Sequence, residues 1–87
     1  MEQAEEMKVG KVVHYFSKIG VAVIDITEGS IKTGDEIRIK GHTTDFRQKV
    51  HSMRIEQDKI EMAEQGQSIG LKVDQPVRAS DLVYKSV

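Results

Sequence analysis

Three histidines, two pairs of basic residues and a scatter of serines and carboxylates are the side chains with chemistry to offer. His14, His42 and His51 form no His-x-x-x-His pair, and no carboxylate brackets them at ligand spacing. They read as ordinary surface or rim histidines. Ser17, Ser30, Ser52 and Ser68 lie in no nucleophile motif, and Asp35-Glu36 reads as a turn and strand start. Gly10-Lys11 runs on into Val12-Val13, without the spaced glycines of a phosphate loop or the hydroxyl that would follow the lysine to hold magnesium. The residues thus predict no metal, no nucleotide, no cofactor and no enzyme. The cations are more suggestive. Arg38, Lys40, Arg47 and Lys49, with His51 beside them, alternate with Ile39, Gln48 and Val50 so that all project to one side, where they could meet phosphates. Glu36 and Asp45 dilute the patch. A solvated face is the competing reading, because outward positions of any soluble β domain are charged and strand lysines discourage edge pairing.

The elements that must position these residues are short strands. Val- and Ile-rich runs alternate with polar residues at about Met7 to Phe16, Val21 to Ile26, Glu36 to Lys40, Phe46 to Ile55, Ser68 to Val73 and Leu82 to Lys85. In the third run Ile37 and Ile39 oppose Glu36, Arg38 and Lys40. In the fourth, Phe46, Gln48 and Val50 oppose Arg47, Lys49 and His51, and Met53 and Ile55 then fall out of phase, as after a β-bulge. Gly41 to Asp45 is short enough to make the third and fourth runs antiparallel neighbours. Gln57 to Gln67 reads as a compact loop, with a helical turn over Asp58 to Gln65 stopped by Gly66 as the alternative. The second run is apolar on both faces, Val21 and Val23 against Ala22, Ile24 and Ile26, so it should be covered on both sides by loops, by the N-terminal segment or by a partner.

Six such strands in 87 residues predict one all-β domain, a small closed six-stranded antiparallel barrel, closure being the simplest way to remove exposed edges. Val13, Val23, Ile24, Ile31, Ile37, Ile39, Val50, Ile69, Leu71 and Leu82 should supply much of its core, with either Val23 or Ile24 the less central because strand neighbours point to opposite faces, and with Phe16 and Phe46 also inward. Residues 1–6 hold three acids and no base and read as a dispensable acidic tail before the domain of residues 7–87. A net charge of −1 argues against a surface wholly devoted to nucleic acid. There is no cysteine, no signal-peptide pattern and no apolar run long enough for a membrane span, which predicts a cytoplasmic protein with no membrane partner.

Three signatures in order resemble the second domain of elongation factor Tu and related translational GTPases. They are Glu28-Gly29-Ser30-Ile31-Lys32-Thr33-Gly34-Asp35-Glu36-Ile37, the small-residue approach from Ala63 to Leu71, and Ser80-Asp81-Leu82-Val83, where serine stands for the usual glycine. The resemblance runs from about Lys8 to Lys85 and implies the translation-factor barrel, standing without its GTPase. In that family a Gly-Arg-Gly turn and an acidic residue frame the terminal adenosine of aminoacyl-tRNA. Here the turn reads Lys18-Ile19-Gly20 and the acidic position falls near Lys11, which argues against that use. The same fold faces the ribosome in several translation factors, and a similar barrel ends some collagenase-like peptidases. The expected function is a non-catalytic module contacting RNA or the ribosome through Arg38, Lys40, Arg47, Lys49 and His51. The alternative is a protein–protein accessory domain that docks on an enzyme or on itself.

Overall fold

The computed structural model describes residues 6–86, and these form ten strands and no helix. They are β1 (Glu6–Phe16), β2 (Val21–Ile26), β3 (Ser30–Lys32), β4 (Glu36–Lys40), β5 (Asp45–Lys49), β6 (Met53–Ile55), β7 (Asp58–Ile60), β8 (Met62–Glu64), β9 (Ser68–Lys72) and β10 (Leu82–Ser86). Eight make one antiparallel sheet in the order β5-β4-β10-β1-β2-β9-β6-β7, and β3 pairs with β8 as a separate ribbon. The all-β antiparallel expectation holds; the closed six-stranded barrel does not. The ladder ends at β5 on one side and β7 on the other, and these two strands do not pair.

A buried glutamine spans part of that opening. Gln48 on edge strand β5 points inward and is 6% exposed. Its amide nitrogen donates to Lys72 O at 3.0 Å, and its amide oxygen accepts from Asp74 N at 2.7 Å. One side chain therefore ties the β5 edge to the chain leaving β9, and its own buried amide is satisfied by two backbone groups.

Both sheets close on a single apolar core. Ile24, Ile37, Ile39, Ile69 and Leu71 come from the large sheet and Ile31 and Ala63 from the ribbon, all at most 1% exposed. Val50, also expected in the core, is buried just beyond β5. Two residues expected there, Val13 and Leu82, are not, and of the pair Val23 and Ile24 it is Val23 that faces out. Register shifts between Lys8 and Gly10 and between Val12 and His14 break the alternation of β1, so Val12 turns inward and Val13 is 37% exposed. On β2 the even residues Ala22, Ile24 and Ile26 are buried, which puts Val23 on the outer face. On β10, Val83 is fully buried, while Leu82 is half-buried on the opposite side. Of the two phenylalanines, Phe46 is buried and Phe16 is 47% exposed.

The long fourth run divides into β5 and β6 around Val50 to Ser52. Beyond it, Glu56-Gln57 turns the chain between β6 and β7, with Ile55 opposite Asp58, and β8 follows. The anticipated loop or helix over Gln57 to Gln67 is thus mostly strand, held by burial of Ala63 and partial burial of Ile60 against the core. The Gly29–Gly34 loop behaves as read. Both glycines have positive φ, Ile31 is buried between them, and Asp35 Oδ2 accepts from Lys32 N at 2.9 Å. Ser80, in the place of a glycine, has φ of 80°, a backbone region where glycine is the unstrained residue. Residues 1–5 of the expected tail lie outside the described residues, whereas Glu6 begins β1 opposite Ser86. Among the described residues no helix is long and apolar enough to cross a membrane.

Candidate functional site

Two outer faces have the composition of a binding surface. The first is the β4–β5 ribbon. Its register sets Arg38 opposite Arg47, Glu36 opposite Lys49 and Lys40 opposite Asp45, so the five outward positions read from sequence do assemble on and beside one ribbon. Like charges directly opposite one another repel, and carboxylates offset that repulsion here. Arg38 grips Asp45 through two bonds of 2.8 Å, from Nε to Oδ1 and from Nη2 to Oδ2. Glu6 then reaches across from β1, accepting from Arg38 at 3.4 Å with one oxygen and from Arg47 at 3.1 Å with the other. The hydrogen bonds and charge of Asp45 raise the Arg38 guanidinium above its ordinary value. Those of Arg38 in turn hold the Asp45 carboxyl below the usual carboxylate range. His51 faces Asp74 at 3.3 Å. Arg38, Arg47 and His51 thus each meet a carboxylate of the chain itself, and Lys40 and Lys49 flank them at the two ends of the ribbon.

The second face was marked in the sequence only by a strand apolar on both sides. The register lines up His14 of β1, Val23 of β2, Gly70 of β9 and Arg54 of β6 in one row across the outside of the sheet, with Phe16 and Val21 paired in the next row. A cleft of about 450 Å³ lies over Val21, Val23 and Gly70, walled by Phe16 and Ile19 at one end and by Arg54 and Glu56 at the other. A smaller hollow of about 320 Å³ follows the hairpin tip from Tyr15 to Ile19. Phe16 at 47% and Ile19 at 58% are among the most exposed large apolar side chains described.

The tip that carries them is fixed. Gly20 N donates to Phe16 O at 2.9 Å, Val73 N donates to Gly20 O at 2.9 Å, and Lys72 Nζ donates to Ile19 O at 2.8 Å. His14 packs edge-on to Phe16 with ring centres 4.4 Å apart. Phe16, read as core, is therefore a surface residue held in place. Arg54 enters none of the ion pairs formed among the described residues. Next to this face the Asp25 carboxylate accepts a hydrogen bond from the Ser68 hydroxyl. Among the described residues no group of three or more His, Asp or Glu side chains gathers closely enough to hold a metal ion.

No protein-family model matches the chain. It is 43% identical over 82 residues to a collagenase of Porphyromonas gingivalis strain W83, an alignment covering 93% of this chain and 20% of that protein. It is 36% identical over 80 residues to an uncharacterized protease of Methanocaldococcus jannaschii, covering 91% of this chain and 19% of the other. The chain spans about a fifth of the length of these relatives. Among solved structures, it superposes with a TM-score of 0.84 on the C-terminal domain of a Geobacillus thermoleovorans protein assigned to the U32 peptidases, at 22% identity and covering 91% of each chain. A selenomethionine form of the same domain gives a TM-score of 0.82 at 21% identity.

These similarities correct three expectations together. The sequence relatives are proteins named for proteolysis, so they overturn the reading as a stand-alone translation-factor module contacting RNA and the expectation of no enzyme, this chain matching about a fifth of each named protein. The glycine-isoleucine-glycine loop that suggested translational GTPases is a general way of turning a β chain over its own core, so it carries the geometry without the function. By sequence the chain's relatives are collagenase and protease chains, and its fold is that of the U32 peptidase C-terminal domain.

Proposed function

We propose that this chain serves as the β domain of a collagenase-type peptidase and engages the polypeptide on which that peptidase acts. The observation that carries the reading is the alignment of nearly the whole chain, at 43% identity, with one fifth of a collagenase. The outer face supports it. A pinned hairpin presenting Phe16 and Ile19 beside a cleft with one arginine that forms no ion pair among the described residues suits polypeptide, since a few aromatic and arginine anchors carry most of a protein interface. Contacts made far from the reacting bond speed turnover of a large substrate and leave a short one unaffected.

The test uses the P. gingivalis collagenase itself, with its matched segment either deleted or replaced by this chain. Deletion is expected to lower kcat/KM for collagen by about tenfold or more and to change cleavage of a short fluorogenic peptide by less than about threefold, with the graft restoring collagen cleavage. Equal loss on both substrates, or no loss on either, would contradict the proposal.

A further inference from the structure

Gly70 is a glycine that the fold does not require. It lies mid-strand in β9, between β2 and β6, where glycine weakens a sheet. Its φ is not among the positive ones. A Cβ added there would meet only the Val21 methyl at 3.4 Å and Arg54 O at 3.9 Å, both ordinary contacts. Gly10 on β1 is the contrast, because a Cβ there would come within 2.5 Å of Asp25 O, so packing alone explains it. At position 70 the missing side chain leaves an opening on the outer surface. It forms the floor of the cleft between Val23 and Arg54. The register with β2 runs unbroken through Gly70, so no bulge accounts for it, and close approach of a ligand or another backbone is the remaining use of such a glycine at a straight strand.

We propose that the cleft over Gly70 holds an extended segment of substrate polypeptide, with small apolar side chains against Phe16, Val21 and Val23 and a carboxylate beside Arg54. This rests on the peptidase reading above and names where that engagement occurs. Charge and size select the occupant. Arg54 is the one cation lining the cleft and has no carboxylate partner among the described residues. Glu56, at the far wall, can accept from a peptide N–H. Glu56 has φ of 56° at the first central position of its two-residue turn, where glycine is favoured, so the wall carries a side chain in spite of the backbone's preference. A volume of about 450 Å³ suits a few side chains of one strand of chain. The pinned hairpin is ready-formed, which spares the ordering that a loop would need on binding.

The test is a titration of the 87-residue chain, labelled with nitrogen-15, with a short extended peptide of valine, proline and serine carrying one aspartate. Amide shifts are expected at Phe16, Ile19, Val23, Arg54 and Gly70. Gly70→Val should weaken binding by about tenfold or more without lowering the thermal midpoint. Arg54→Glu should shift preference to the same peptide with lysine in place of aspartate. Shifts confined to the β4–β5 ribbon would overturn this site and leave the peptidase reading standing. Shifts in this cleft that grow with protein concentration alone would assign it to a second copy of the chain and overturn the proposal. Absence of any shift with either peptide would do the same, while the collagenase graft would still decide the broader reading.

Discussion

The ribbon of β4 and β5 and the outer face of β1, β2 and β9 lie on one sheet, and the fold treats them oppositely. On the ribbon, Arg38 and Arg47 sit directly opposite each other, and Asp45 and Glu6 neutralise them from within the chain. On the other face Phe16, Ile19 and Arg54 are exposed, and Arg54 has no partner among the described residues. The difference teaches that a local excess of one charge says little until its neighbours in space are known. The stronger sign of a binding face is a set of groups, apolar or charged, that the fold holds rigidly and leaves uncovered.

That contrast can be broken or sharpened by substitution. The largest effect is expected at neither face but in the core between them. Ile37→Ala should destabilise by about 2–5 kcal/mol in urea unfolding, because Ile37 is fully buried. Phe16→Ala, by comparison, should stay within about 1 kcal/mol, as for other surface positions. A Phe16 effect as large as that of Ile37 would mean the hairpin tip is structural and would break the contrast.

The next effect belongs to the sheet edge. Gln48→Leu removes both bonds that tie β5 to the chain after β9, leaving Lys72 O and Asp74 N without them. A loss of about 1–3 kcal/mol is expected. Amide exchange at Asp74 should speed up with it, and unchanged exchange would show that the glutamine does not hold the opening.

Smaller still is the effect at Gly70, read against Gly10. Gly70→Ala should stabilise the chain by about 0.5–1 kcal/mol, whereas Gly10→Ala should destabilise it. If both destabilise, Gly70 serves the fold and the cleft loses its main support. The smallest effect is on the ribbon. Asp45 has its pKa held below the ordinary 3.8 by Arg38, so its stabilisation is present above that value and is lost as pH falls through the lower, folded-state value. Wild type and Asp45→Asn should therefore differ slightly at neutral pH and converge in strong acid. A difference that persists in acid would detach the pair from stability.

Much of this fold was legible because burial on one face imposes a period of two. Glu36–Lys40 and Val21–Ile26 have the bounds read from sequence, and Ile37, Ile39 and Val50 are buried as that alternation requires. The alternation misleads on β1, where two register shifts hide from any periodic reading and exchange Val12 for Val13. Sheet closure was not legible. It depends on whether β5 meets β7, the two ends of the ladder, and a side-chain amide does part of that work. Of the candidate site, the outward set of Arg38, Lys40, Arg47, Lys49 and His51 was legible, but its carboxylate partners Glu6 and Asp74 come from distant strands and loops. The second face left one trace, the doubly apolar β2. Phe16 and Gly70 join it only through pairing, which no linear pattern displays.

The most direct measurement of the central claim combines the cleft with the peptidase. The P. gingivalis collagenase carrying this chain in place of its matched segment is compared with the same graft bearing Gly70→Val, on collagen and on a short peptide. A selective fall in kcat/KM for collagen of about tenfold, with the short peptide cleaved as before, is the predicted result. Equal collagen cleavage by the two grafts would contradict the account and return the outer face of β2 to mere surface.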